Sequence, residues 1–173
     1  MIGLNRLLKE LAKPNLRKPS SFSLNFGLHS EPLWKNTVSR LKATKPFPQY
    51  WMNLALGRTE FGLGAIASLS NSNTNNYDCG ELRTEVQVSA QNAKSFYSAL
   101  ETQKHEIEQE LNESLTWHNP ENKNMCRIYL RRDAHIKDKS DWPHQHEWLM
   151  ENLGKLYRSF NPLITKLEVP EAT

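Results

Sequence analysis

The sequence has few cysteines and lacks any long apolar segment. Cys79 and Cys126 are the only cysteines among 173 residues, too few for a disulfide framework, so we expect a reducing, cytoplasmic location. No run of about 18 apolar residues occurs, so no membrane span is expected. Internal repeats and a glycine-rich phosphate loop are also missing. Hydrophobic residues make up 38% of the chain, and its length is ordinary for one domain. These two features predict one soluble domain with a buried core.

Positive charge is concentrated near the amino terminus. Residues 1–45 carry nine Lys or Arg and two acidic residues, whereas the rest carries 13 basic and 17 acidic residues. This split suggests contact with a phosphate, a membrane surface or an acidic partner, although a solvated basic tail explains it at least as well. Leucines at helical spacing within residues 2–12 predict a short helix. We therefore divide the chain into a basic helix and arm at 1–28, one domain at 29–167, and a tail at 168–173.

Apolar periodicity predicts an α+β fold for the domain. The expected architecture is a mainly antiparallel sheet of about five strands, with a long central helix and a C-terminal helix packed on it, preceded by one or two N-terminal helices. The predicted elements, in order, are a helix at 31–44, strands at 50–57, 61–68 and 81–90, a helix at 92–112, strands at 115–118 and 127–132, and a helix from about 140 to 160, which Asn161-Pro162 ends.

The segment from 81 to 90 is the clearest strand. Side chains alternate between the two faces of a strand, so its apolar and polar residues separate. One face holds Leu82, Thr84, Val86 and Val88, and the other holds Arg83, Glu85, Gln87 and Ser89.

Four groups of residues follow the order that they have in the family called domain of unknown function 4268. They are Pro48-Gln49-Tyr50-Trp51 with Gly57-Arg58; Ala93-Lys94, Phe96-Tyr97, Leu100, Lys104 and Ile107-Glu108; Leu115-Thr116-Trp117 with Arg127-Ile128-Tyr129-Leu130; and Trp142, Trp148-Leu149, Leu153 and Phe160. The chain resembles this family over roughly residues 31–167. The resemblance implies a prokaryotic protein that occurs alone or behind nuclease-like domains, and hence a setting in DNA restriction or defence.

A metal-dependent nuclease of the Asp…Glu-x-Lys superfamily has a similar order of elements and supplies one hypothesis. In such enzymes carboxylates bind Mg²⁺, and a lysine positions or activates water. The nearest matches are Asp78 with Glu85-Val86-Gln87 or with Glu81-Leu82-Arg83, and neither has lysine in its place. Asp78, Glu85 and Gln87 are therefore candidate catalytic residues under this alternative alone, with Mg²⁺ as its only cofactor.

The histidines and cysteines do not suggest another metal site. His144 and His146 are the one closely spaced pair, and in the first turns of a helix they point away from each other. Cys126 precedes a strand, where a small buried thiol fits. We expect no metal and no other cofactor outside the nuclease alternative.

Nucleic-acid binding has more support than a metal site, although Asp133, Asp138 and Asp141 interrupt the basic cluster. Arg127, Tyr129 and Arg131 share one face of their strand, as a stacking and charge platform would require. Arg83 and Arg132 complete the candidate binding residues. The simpler structural interpretation is that Tyr129 packs and that the arginines pair with the glutamates of the helix at 92–112.

The sequence therefore predicts a non-catalytic interaction module linked to DNA restriction, defence or processing. Its partner would be DNA or a protein such as a nuclease-type subunit, and no membrane contact is expected. A homodimer built through an uncovered edge strand or the first helix stays open.

Overall fold

The computed structural model describes residues 51–74, 77 and 79–168. The helices predicted at 2–12 and 31–44 lie outside these residues, and so does Asp78.

The centre of the fold is a five-stranded sheet in which every neighbouring pair is antiparallel. The strands are β1 (Trp51–Leu56), β2 (Arg58–Ser68), β3 (Gly80–Ser89), β4 (Thr116–His118) and β5 (Met125–Ala134). Their spatial order is β1-β2-β3-β5-β4. The predicted antiparallel sheet is confirmed. The last strand in sequence lies inside the sheet, between β3 and β4, which makes β3 and β5 direct neighbours.

The first hairpin is tighter than the sequence predicted, because β2 begins at Arg58 and not at residue 61. Gly57 alone separates the two strands, and its φ of 76° is a left-handed conformation that glycine adopts without strain. A Cβ atom added there would lie 3.1 Å from Asn161 Oδ1 and 3.1 Å from Thr165 Cγ2. Backbone conformation and close packing therefore both require glycine at this turn.

The predicted long central helix is wrong. Two shorter helices replace it, α1 (Ala93–Glu101) and α2 (Lys104–Leu111). Leu100, Ile107 and Leu111 form an apolar stripe along the predicted helix. An unbroken helix would place Lys104 on that stripe, between Leu100 and Ile107. The break takes Lys104 off that stripe, and its ammonium lies 5.9 Å from the ring centre of Trp117.

The longest helix is α3 (Trp142–Lys166), which follows a 3₁₀ turn at Lys139–Asp141. Its predicted end at about residue 160 is wrong, because the helix continues to Lys166 with Pro162 inside it. Proline removes one backbone hydrogen bond. The helix continues because Ile164 is fully buried and because the Thr165 hydroxyl donates to the carbonyl of Asn161 at 3.0 Å. Full burial of an isoleucine is worth about 1.5–3 kcal/mol, enough to offset much of the lost bond.

The three helices pack on one face of the sheet and enclose the core. Most apolar residues of the predicted helices are buried, as their helical spacing predicts. Within the segments that the structure describes, no helix is long and apolar enough to cross a membrane. The helix residues of the core include Ala93, Phe96, Tyr97, Leu100, Ile107, Leu111, Leu149, Leu153, Leu156 and Phe160, and they pack against Leu63, Leu82, Val86, Val88 and Ile128 of the sheet.

Candidate functional site

Polar side chains cover the central strands on the side of the sheet opposite α1 and α3. Alternation along each strand puts them there, because the apolar residues between them point into the core. We call this surface the polar sheet face. It consists of Glu81, Arg83, Glu85 and Gln87 from β3 with Arg127, Tyr129, Arg131 and Asp133 from β5.

The register between β3 and β5 decides which of these side chains meet. Arg83 lies directly opposite Arg131, and Glu85 lies directly opposite Tyr129. Like charges at opposed positions destabilise a sheet, so the two arginines need counter-ions nearby. Two glutamates on the same face supply them.

Glu85 is the more central of the two counter-ions. Its side chain is 2% exposed, and Arg83 Nε lies 2.9 Å from its Oε2 atom. Arg127 Nε lies 3.5 Å from Oε1, and the amide of Gln87 donates to the same oxygen. Both oxygens of the carboxylate are therefore contacted by cationic or hydrogen-bonding groups, as a buried charge requires.

Glu81 is the second counter-ion, on the same face of β3 as Glu85. Its side chain is also 2% exposed, and Arg83 Nη1 donates to its Oε1 atom at 3.2 Å. Arg131 Nη1 lies 3.9 Å from Oε2. The backbone N–H of Ser72 donates to Oε2 at 3.1 Å, which ties the loop after β2 to the sheet. Two buried carboxylates thus lie close to three arginines. Asp133, on the same face of β5 and directly opposite Glu81, supplies a third acidic side chain, so the formal charges on the face balance.

The arginines reach solvent although the glutamates do not. The exposed fractions of their side chains are 19% for Arg83, 32% for Arg127 and 22% for Arg131. The guanidinium carbon of Arg83 lies 5.4 Å from the ring centre of Tyr129, within the range of a cation–π contact. The outer layer of the face is therefore built of planar, partly exposed groups that are paired in charge with the two buried carboxylates.

Two glycines of β2, which have no side chains, lie next to β3 on the polar sheet face. Gly62 lies opposite Gln87, and Gly64 lies opposite Glu85. A Cβ atom added at Gly64 would come within 3.2 Å of Glu85 Cγ, so the glycine makes room for the buried glutamate. At Gly62 an added Cβ would meet nothing within 4 Å. The face is therefore open at Gly62, beside Gln87, and closely packed at Gly64.

The structure brings together four of the five predicted nucleic-acid residues. Arg83, Arg127, Tyr129 and Arg131 share the polar sheet face. Arg132 lies on the helix side of the sheet, with its guanidinium carbon 5.3 Å from the ring centre of Trp148. The arginines pair with glutamates of β3, and not with the glutamates of the helices as the simpler structural interpretation expected.

The structure places two of the three candidate catalytic residues. Glu85 and Gln87 are adjacent on the polar sheet face and hydrogen-bonded to each other, whereas Asp78 lies outside the described residues. Over residues 51–74, 77 and 79–168, no three His, Cys, Asp or Glu side chains are grouped so that they could hold a metal ion. The sequence did not single out Glu81 as a counter-ion, although its position two residues before Arg83 on the alternating strand was a signal for it.

Cys126 is a buried thiol, as the sequence predicted. It is fully buried, and its Sγ donates to Asn119 Oδ1 at 3.3 Å. Burial raises the pKa of the Cys126 thiol, so its reactive thiolate is scarce at neutral pH. Cys79 is partly exposed.

We expect the two cysteines to react at very different rates with an aromatic disulfide reagent at neutral pH. Cys79 should react quickly in the native protein, and Cys126 should react only on the timescale of unfolding. The absorbance of the released thiol measures both phases. The variant Cys79→Ser should lose the fast phase, and rapid reaction of Cys126 in that variant would contradict the buried placement.

A family model described as domain of unknown function (DUF4268) matches residues 28–164 of the chain. The matched region contains the whole polar sheet face and agrees with the resemblance found in the sequence. Comparisons with curated proteins and with solved structures give no match.

Proposed function

The chain belongs to the domain of unknown function 4268 family, and we propose that it is a non-catalytic interaction module that binds nucleic acid through its polar sheet face. We further propose that it acts in the cytoplasm in DNA restriction, defence or processing, for which the free cysteines and the family resemblance are the support.

The observation that carries this proposal is the arrangement of Arg83, Arg127 and Arg131 around Tyr129. Arginine suits phosphate because its planar guanidinium donates several hydrogen bonds in a fixed geometry. Here a nitrogen of each guanidinium group lies 2.9–3.9 Å from a buried carboxylate, and each arginine still reaches solvent. Such positioning saves about 0.5–1.5 kcal/mol of ordering cost per side chain when a ligand binds.

The surroundings of Glu85 support a non-catalytic role. A magnesium ion at this carboxylate would share it with two guanidinium groups whose Nε atoms lie 2.9 and 3.5 Å from its oxygens. Two unit positive charges about 4 Å apart repel each other by about 4 kcal/mol at an effective dielectric constant of 20. The arginines thus occupy the position that a metal would need.

A pair of neighbouring arginines provides a matched test of the binding surface. Arg131→Ala should weaken binding of a short labelled DNA by about tenfold, which corresponds to ~1.4 kcal/mol for one charged contact. Arg132→Ala removes the same charge from the opposite face and should change the affinity less than about twofold. Fluorescence anisotropy at low salt measures both.

Equal losses from the two variants would mean that the face is not the binding surface. If no DNA or RNA binds at all, the proposal fails and a protein partner takes its place. Incubation with plasmid and Mg²⁺ tests the nuclease alternative. Cleavage of the DNA that is abolished by Glu85→Ala would support that alternative.

A further inference from the structure

Resting on the proposed function, we infer that the ligand of the polar sheet face is single-stranded nucleic acid, whose bases stack on Tyr129 and Arg83. Double-stranded nucleic acid does not fit this surface. The width of the sheet, the depth of the arginines and the planarity of the exposed groups each support this choice.

The sheet is too wide to enter a DNA groove. The polar residues lie on β3 and β5, the third and fourth of five neighbouring strands. Strands spaced about 4.8 Å apart make five strands about 19 Å wide, whereas the major groove of B-DNA is about 12 Å wide. At Arg127 and Tyr129, where all five strands lie side by side, the other strands would meet the phosphate backbones before either side chain reached a base edge.

The arginines are also too deeply set to reach into a groove from outside. Their side chains are only 19–32% exposed, and Arg83 and Arg127 each bend toward the carboxylate of Glu85. A single strand avoids this difficulty, because its unpaired bases can lie against a flat protein surface.

Planar groups for stacking are present at the centre of the face. Tyr129 lies between Arg127 and Arg131, each two residues and hence about 6.8 Å away along the strand. The guanidinium of Arg83 is a second flat group beside the tyrosine ring. Bases stack on tyrosine rings and on guanidinium planes, and they do so with little regard to sequence. The open surface at Gly62, beside Gln87, leaves room for a further nucleotide.

The two glutamates make the binding depend more on bases than on phosphates. Glu81 and Glu85 neutralise much of the charge of the three arginines. The logarithm of the affinity should therefore fall with the logarithm of salt concentration with a slope no steeper than about −2, the value for three phosphates at ~0.7 each.

The test is a competition measured by fluorescence anisotropy with the full chain and a labelled oligothymidylate. The competitors are the unlabelled single strand, a duplex of equal length, and an abasic oligomer that has the same phosphates but no bases. We expect the duplex and the abasic oligomer to compete at least tenfold more weakly than the single strand. Tyr129→Phe should bind within about twofold of the wild type, whereas Tyr129→Leu should lose about tenfold.

The outcomes separate base stacking, strand preference and binding itself. Equal competition by the abasic oligomer would overturn base stacking, and equal competition by the duplex would overturn the preference for single strands, while the proposed function would survive both. Absence of binding to every oligomer would overturn the proposed function itself. The basic residues in 1–45 remain in every variant, so binding through them would be unaffected by Tyr129→Leu. If circular dichroism shows that this variant is unfolded, the competition on the wild type decides alone.

Discussion

Replacing Glu85 by glutamine is expected to lower the free energy of unfolding by about 2 kcal/mol, although the side chain keeps its shape. Breaking a fully buried ion pair by removing one partner costs about 3–5 kcal/mol. The cost here should be smaller, because Arg83 and Arg127 are 19% and 32% exposed and can turn toward water. Urea unfolding followed by circular dichroism measures the change.

Glu60→Gln is the matched control for this substitution. Glu60 also faces an arginine, with Arg58 Nε 3.6 Å away, but its side chain is 27% exposed. Removal of such a surface pair should cost no more than about 0.5 kcal/mol. Unchanged stability in Glu85→Gln, together with loss of a Mg²⁺-dependent cutting activity, would show that Glu85 is a catalytic carboxylate and not a counter-ion.

Replacing Gly80 by alanine should lower the free energy of unfolding more than any substitution on the polar sheet face. An added Cβ would lie 2.1 Å from the backbone carbonyl oxygen of Ser68 and 3.0 Å from Ile136 Cγ1. The contact with Ser68 is with backbone and cannot be relieved by turning a side chain, so the start of β3 must move away from its neighbour. Forcing extra volume into a packed site costs up to about 3 kcal/mol and occasionally more. We expect a loss of at least about 3 kcal/mol in urea unfolding.

Gly62→Ala provides the comparison, because an added Cβ there meets nothing within 4 Å. The same chemical change in β2 should be neutral or should stabilise the protein by about 0.5 kcal/mol, since alanine restricts the unfolded chain more than glycine does. Similar losses in the two variants would mean that the close approach of β2 and β3 at Gly80 is not what requires glycine.

The sheet could be predicted from the sequence because its signals are local. Alternation in β3 separated Arg83, Glu85 and Gln87 from the apolar residues, and the structure keeps that separation. The same reasoning grouped Arg127, Tyr129 and Arg131 on one face of β5. What no local pattern supplies is the register between two strands that are separated by α1, α2 and β4. That register places Arg131 opposite Arg83, and it puts both within reach of Glu81.

Two predicted helix boundaries failed because tertiary packing overrode local preference. The charged helix at 92–112 looked continuous, since none of its residues is a strong helix breaker. The position of Lys104 on the apolar stripe was the sign that the helix must break, and the contact with Trp117 compensates for the break. Pro162 gave the opposite error: a strong local stop signal is overcome by the burial of Ile164 beyond it.

The central claim is that nucleic acid binds the polar sheet face, and the most direct measurement is an NMR titration of the isotopically labelled protein with an oligothymidylate. We predict that the largest shift changes occur at the backbone amides of β3 and β5 and at the side-chain Nε–H groups of Arg83, Arg127 and Arg131. The amides of α1 and α3 on the other side of the sheet should change little. Shift changes confined to the helices or to residues 1–45, with the arginine signals unmoved, would contradict the claim.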